Sequence, residues 1–285
     1  MASGGVSGIS GETLERARKE LNEDPDKRAE AIQELREKID QWERNPPPEE
    51  AGLTFARKDE SFLLRFLRAR KFDLDRALQL YINFYRYRQK YADKLTDYNP
   101  RSVEHILKSG TIRVLDKRLR NGAKVICLFL NCWDYENVPF GENFKTLMLT
   151  LDKLIEDEET QVNGIAIFNN LEGVSFFQVM KLVQSDHVQK GMGIELLQDA
   201  FPARFKGLHL INQPWYISIV LALARPFMKP KLQSRLWIHG PEMSGLHEFI
   251  EPENLPEDFG GSQPALDPYS SLKLFEDELS GSSTQ

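Results

Sequence analysis

The sequence predicts an α/β fold, with an N-terminal all-helical lobe followed by a C-terminal α/β lobe holding a largely parallel sheet. Three observations carry that expectation. Up to about Ser109 the apolar residues recur at helical spacing. Beyond it, short and nearly all-apolar runs alternate with helical segments, the pattern of βαβ units whose strands are covered on both or most faces. Finally, the stretch Ala200–Pro241 carries Arg204, Lys206, Arg225, Lys229, Lys231 and Arg235 and no Asp or Glu, in a chain of formal net charge −6.

The elements follow in order. Residues 1–11 are expected to be disordered, and residues 12–109 form the helical lobe. Two charged helices cover about Glu12–Glu23 and Asp26–Arg44, the second with Ala29, Ile32, Leu35, Ile39 and Trp42 as one apolar stripe. Pro46-Pro-Pro48 stops it. From Lys58, Phe62, Leu63, Phe66 and Leu67 make one face of a third helix, and Asp73 caps a fourth over Leu74–Tyr91.

Residues 110–268 form the α/β lobe. Strands are expected at Lys124–Leu130, after the turn signal Asn121-Gly122, and at Gly164–Phe168, Phe205–Ile211 and Arg235–His239. Helices fall at Phe140–Glu158, Phe176–Gln184 and Ile194–Ala200. The basic stretch encloses a further helix, the apolar run Trp215–Ala224 between Pro214 and Pro226. A basic field around such a helix suits contact with an anionic membrane and an apolar ligand. Residues 269–285 read as a polar tail.

Other chemistries find little support. No G-x-G-x-x-G, P-loop, G-x-S-x-G or H-E-x-x-H pattern occurs. Cys127 and Cys132 lack zinc-site spacing and read as reduced thiols. The run Glu156-Asp-Glu-Glu159 reads as a solvated face rather than a metal site. His105, His187, His209, His239 and His247 are scattered, and the two in strands read as structural. No secretory signal and no apolar run of membrane-spanning length is present, so a cytoplasmic monomer that touches membranes peripherally and transiently is expected. Overall acidity argues against nucleic acid as the partner. The expectation is a binder rather than an enzyme, with no cofactor and no metal.

Several motifs in collinear order then resemble the CRAL-TRIO lipid-transfer family. They are Phe62-Leu-Leu-Arg-Phe-Leu-Arg-Ala-Arg-Lys-Phe-Asp73, Glu158-Glu-Thr-Gln-Val-Asn-Gly164, Gln198-Asp-Ala-Phe-Pro-Ala-Arg-Phe-Lys206, His209-Leu-Ile-Asn-Gln-Pro-Trp-Tyr216 and Leu255-Pro-Glu-Asp-Phe-Gly-Gly261. The nearest branch by this reading is the retinaldehyde-binding one, with clavesins and the tocopherol-transfer branch as cousins.

The resemblance implies an apolar cavity in the second lobe beneath a helical gate, here about Pro214–Met228 with Trp215, Tyr216, Ile219, Val220, Leu223 and Phe227. It implies pocket residues Leu128, Leu130, Trp133, Leu147, Phe168, Asn169, Ile194 and Leu197. It also implies a basic phosphoinositide cleft of Arg70, Arg204, Lys206, Lys231 and Arg235, side chains suited to phosphate. The implied ligand is a retinoid resembling 11-cis-retinal, a carotenoid or a tocopherol. The retinaldehyde branch's polar Tyr and Glu are replaced by Leu147 and Asn169, which removes a buried carboxyl. The expected function is a soluble carrier exchanging that ligand at phosphoinositide-containing membranes. The alternative is a clavesin-like trafficking adaptor that reads phosphoinositides.

Overall fold

The computed structural model describes residues 9–185 and 191–281, so His187 and most of the 1–11 stretch lie outside the described residues. In chain order the helices are α1 (Gly11–Leu21), α2 (Arg28–Arg44), α3 (Glu60–Ala69), α4 (Leu74–Lys90), α5 (Glu104–Ser109), α6 (Phe140–Leu154), α7 (Glu158–Asn163) and α8 (Phe176–Val183). The strands are β1 (Ile112–Val114), β2 (Lys124–Phe129), β3 (Ile165–Asn170), β4 (Phe205–Ile211) and β5 (Leu236–Ile238). The chain divides into two compact units. One comprises the residues up to Lys90 with Ile155–Gly164 and Asp199–Arg204, the other the remainder.

In the first unit the α2 stripe Ile32, Leu35 and Ile39 packs with Phe62, Leu63, Phe66 and Leu67 of α3 and Tyr81 and Phe84 of α4. Phe66 and Tyr81 meet edge-on at 5.1 Å between centroids. Burying each such side chain stabilises by roughly 1.5–3 kcal/mol. Ser10 caps α1 by accepting the Thr13 N–H, so Ser10 and Gly11, within the stretch expected to be disordered, belong to the helix and its cap.

Arg68 is fully buried in this unit. It forks onto Glu23 at 2.9 and 2.8 Å and also donates to Glu158 at 2.9 Å and Gln161 at 2.8 Å. The acidic run is a solvated face at Glu156 and Asp157, which are exposed, while Glu158 and Glu159 are half-buried. Asp157 caps α7, Glu158 pairs with Arg68, and Glu159 accepts from the Ser10 N–H and the Thr13 hydroxyl. Four carboxylates in a row are tolerated because two are exposed to water and the half-buried two have partners of their own.

In the second unit the five strands run in the order β1-β2-β3-β4-β5. β1 is antiparallel to β2 and every other pair is parallel. β1 is an addition to the sequence reading. It is three residues long and joins β2 across the loop holding Asn121-Gly122, where Gly122 N–H bonds to Leu119 O at 2.7 Å. Register places Ile126, Ile167, Leu208 and Leu236 in one row, and Leu128, Asn169, Leu210 and Ile238 in another. Alternation puts both rows on one face of the sheet. The other face, with Val125, Cys127, Ala166, Phe168 and Ile211, packs on Leu246, Ile250, Leu255 and Phe259 of the closing segment.

The C-terminal residues are not a free polar tail. Phe275 is buried with Val103, Ile106, Leu107 and Leu149, and Leu272, Leu274 and Leu279 pack around them. Ser271 Oγ donates to Ile112 O at 2.6 Å and Ser270 Oγ accepts the Val114 N–H at 3.0 Å. Those two hydroxyls satisfy the outer edge of β1, which would otherwise be an unpaired strand edge.

Candidate functional site

The site grows from the excursion between β4 and β5. Pro214 breaks the strand direction, and the chain turns through Trp215 and Tyr216 into the apolar helix Ile217–Ala224. A 3-10 turn, Arg225–Phe227, and a short turn of helix, Pro230–Gln233, lead back to β5. Ile217 is buried against Leu171, Val174, Val179 and Leu210. The Tyr216 hydroxyl donates to Val174 O, and Phe176 meets the Tyr216 ring edge-on at 5.5 Å. The start of the helix is thus pinned to α8 and the loop before it.

Beneath this helix lies a cavity of about 570 Å³. Its floor is the sheet face carrying Leu208, Leu210 and Leu236. One wall is Gly191–Ile194 with Leu197, and its cover includes Leu221, Ala224, Phe227 and Met228. Among the described residues every side chain in the lining is apolar. Its size is that of pockets enclosing a single small molecule.

Two contacts close the far end of the cover. The Gln198 side-chain amide donates to Phe227 O at 3.0 Å, while its carbonyl accepts the Lys229 N–H. The Phe227 ring lies over Gly191, whose φ of +65° is left-handed and where a Cβ would come within 3.3 Å of the ring. A glycine there gives both the turn and the close approach.

Much of the cover is also bare. Trp215 is 78% exposed and Ile219 39%, while Leu223 at 50% and Phe227 at 48% both line the cavity and reach the surface. Phe177 on α8 is 77% exposed and Phe176 47%. Exposed apolar side chains grouped in this way mark a surface that meets something apolar.

The expected pocket residues divide. Ile194 and Leu197 line the cavity. Leu128 and Asn169 lie on the cavity face of the sheet, in the Leu210 row. The Asn169 amide makes one long bond, to His209 O at 3.4 Å. Leu130 packs on the cluster around Leu210 and Ile217. Leu147 falls on the same helical side of α6 as Phe140, which does line the cavity. Trp133 is buried beside Phe140, its indole N–H bonded to Val138 O at 2.9 Å. Phe168 sits on the opposite face, 5.7 Å from the Phe259 ring, because neighbours in a strand point to opposite sides. Sequence reasoning missed Leu208, Leu210 and Leu236, whose alternation in the strands was the available signal.

The basic residues belong to different units. In the first, Arg204 bonds to Glu20 at 2.9 Å and to Val162 O at 2.6 Å. Burial and the nearby Arg76 hold the Arg70 guanidinium below its ordinary pKa. In the second, Lys206 lies on β4 at a register shift against β3, Arg235 donates to Phe205 O, and Lys231 is exposed. Lys231 and Arg235 directly precede the cavity residues Leu232 and Leu236.

A mostly parallel sheet with an all-apolar cavity under an apolar helix is a site suited to a lipid-like molecule. The family of the chain follows from its relatives. The model described as CRAL/TRIO domain matches residues 108–261, and that described as CRAL/TRIO, N-terminal domain matches residues 31–83. The chain belongs to the CRAL/TRIO family. It is similar to Clavesin-1 of Pongo abelii, at 39% identity over 263 residues, covering 92% of this chain and 71% of that one. It is likewise similar to Clavesin-2 of Homo sapiens, at 38% identity over 92% of this chain and 77% of that one. A solved structure, titled as that of Sfh5, overlaps 91% of this chain and 99% of its own at 13% identity and a TM-score of 0.48. That likeness is too loose to bear on function. Among the described residues no helix is long and apolar enough to cross a membrane.

Proposed function

We propose that this protein encloses one hydrophobic small molecule in the cavity and exchanges it at anionic membranes, with the helix Ile217–Ala224 as the gate. The all-apolar lining, which offers no charged group to a bound molecule, carries this reading. The ligand class is a long, largely hydrocarbon molecule such as a retinoid, carotenoid or tocopherol. Asn169 lies beyond that lining on the same sheet face, one row along from Leu208 and Leu236, and would meet a polar end only of a ligand long enough to reach past the apolar wall.

The exposed apolar side chains from Trp215 to Phe227 enter the lipid surface while Lys229, Lys231 and Arg235 meet phosphoinositide headgroups. Because Lys231 and Arg235 adjoin cavity residues, headgroup contact and gate movement are coupled along the backbone. The test is exchange of a fluorescent retinoid from loaded protein to vesicles. Transfer should accelerate steeply with phosphoinositide content. Equal rates to neutral and anionic vesicles would contradict the membrane half of the proposal.

A second reading, a trafficking adaptor that reads phosphoinositides, draws on the likeness to clavesins across 92% of the chain. It predicts headgroup selectivity in a protein that carries no apolar ligand.

A further inference from the structure

His209 and His239 meet behind the cavity. Nδ1 of His209 and Nε2 of His239 are 2.9 Å apart, the ring planes differ by 5° and the centroids are 5.2 Å apart. Nitrogens so much closer than centroids, in rings so nearly parallel, mean that the rings lie edge to edge in a common plane. They share one in-plane N–H···N bond, which needs one donor and one acceptor.

The surroundings are shaped to this pair. Phe168 and Phe249 pack on His209 at 4.8 and 4.7 Å between centroids. A Cβ at Gly207 would collide with the His209 ring, and one at Gly245 would come within 2.9 Å of His239 Nδ1. Both positions must stay bare for the rings to meet.

The position in the chain gives the pair its meaning. His209 lies in β4 and His239 directly follows β5, so the whole gate excursion, residues 212–235, hangs between them. β5 is three residues long, and its pairing with β4 is correspondingly short. The strand neighbours Leu208, Leu210 and Leu236 line the cavity on the other face. Backbone bonds from Leu208 N–H to Arg235 O, His239 N–H to Leu210 O and Asn212 N–H to Gly240 O also tie these roots, and the histidine bond adds one side-chain tie to that short ladder.

Resting on the gate reading above, we infer that the His209–His239 pair is a proton-sensitive latch that keeps the gate's two roots together when neutral and frees them on protonation. Burial, with repulsion from His239, pushes the His209 pKa down to about 3. Burial also holds His239 below its usual range, against a smaller upward pull from Glu248. Glu248 and His247 lie on the turn Met243–Glu248 packed beside His239, while Phe168, Phe249 and Trp237 supply the apolar sides.

Opening admits water and returns each imidazole toward its ordinary value of about 6.5. Below that pH the open form binds protons that the closed form refuses. The opening constant therefore rises by up to about tenfold per pH unit for each histidine freed.

The experiment uses the full chain loaded with the neutral dye N-phenyl-1-naphthylamine. Ring resonances of the histidines are followed from pH 8 to 4, with amide exchange of Leu236–Ile238 corrected for intrinsic chemistry, and with dye release. Expected are a His209 ring still neutral at pH 5.5, and exchange and release both faster at pH 5.5 than at 7.5, by about tenfold for one histidine freed and up to about a hundredfold for both. His239→Gln, which can hold a bond but not a proton, should reduce both pH dependences to the share of His209 alone, and adding His209→Gln should flatten them. Ordinary titration of both rings, or exchange independent of pH, would overturn the latch even if the variant fails to fold. Acid-accelerated exchange without faster dye release would sustain the latch and contradict the gate reading instead.

Discussion

Gln198 holds the end of the gate by both halves of its amide, giving an N–H to Phe227 O at 3.0 Å and taking the N–H of Lys229. Its chain neighbour Leu197 lines the cavity, so wall and cover are joined by a side chain one residue away from the ligand space. Bonds of this partly exposed kind contribute about 1 kcal/mol each.

Gln198→Ala should therefore leave the fold intact and speed release of a bound apolar dye by about thirtyfold, given roughly 2 kcal/mol of lost closure. Stopped-flow fluorescence reads this directly. An unchanged release rate would mean that the cover opens elsewhere, for instance at the Tyr216 end.

Charge reversal at Lys231 and Arg235 separates membrane contact from ligand binding. Each basic residue near an anionic surface contributes about 1 kcal/mol, so Lys231→Glu alone should weaken binding to phosphoinositide vesicles by about thirtyfold. Dye affinity in solution should not change. Because Arg235 also bonds to Phe205 O, Arg235→Glu should add a loss of stability that Lys231→Glu does not show.

Arg68 and Glu23 are 0% and 1% exposed as side chains. Arg68→Ala leaves Glu23 to Arg28 alone, at 2.8 Å, and takes the donor from the buried Gln161 carbonyl, so it should cost about 3 kcal/mol in urea unfolding. The pair Arg68→Met with Glu23→Leu should recover only part of that loss, since it also takes Arg28 and Glu158 from their partners.

Asp59 caps α3 and is held at a pKa of about 2, chiefly by its hydrogen bonds with Arg57. The folded value lies below the unfolded one of about 3.9, so the contribution is full above that pH and fades as pH falls through about 2. Asp59→Ala should cost about 1 kcal/mol at pH 7 and nothing near pH 1.5, as denaturation at the two pH values would show.

Much of this architecture was legible in the chain because apolar spacing and secondary structure share a period. The run Phe205–Ile211 is apolar enough to read as a strand with those same bounds. The apolar helix stood out because ten apolar or small residues lie inside an acid-free stretch. β1 escaped because Ile112-Arg-Val114 is too short to show alternation. Its strand character comes from pairing with β2 and from Ser270 and Ser271 arriving from a distant part of the sequence.

The C-terminal segment was misjudged on its overall polarity, although Leu272, Phe275 and Leu279 keep helical spacing. In the pocket, Phe168 and Asn169 were both assigned inward, which strand geometry forbids for adjacent residues. The meeting of His209 with His239 depends on β4 and β5 lying side by side, and nothing in their separation along the chain announces it.

The central claim is that the cavity carries a hydrophobic small molecule, and solvent extraction of the purified protein tests it most directly. Mass spectrometry and an absorption spectrum of the extract should reveal one apolar molecule, a retinoid, carotenoid or tocopherol, in near-equal amount with the protein. Phospholipid alone, or an empty extract from protein prepared alongside a source of such molecules, would contradict the carrier and favour the adaptor.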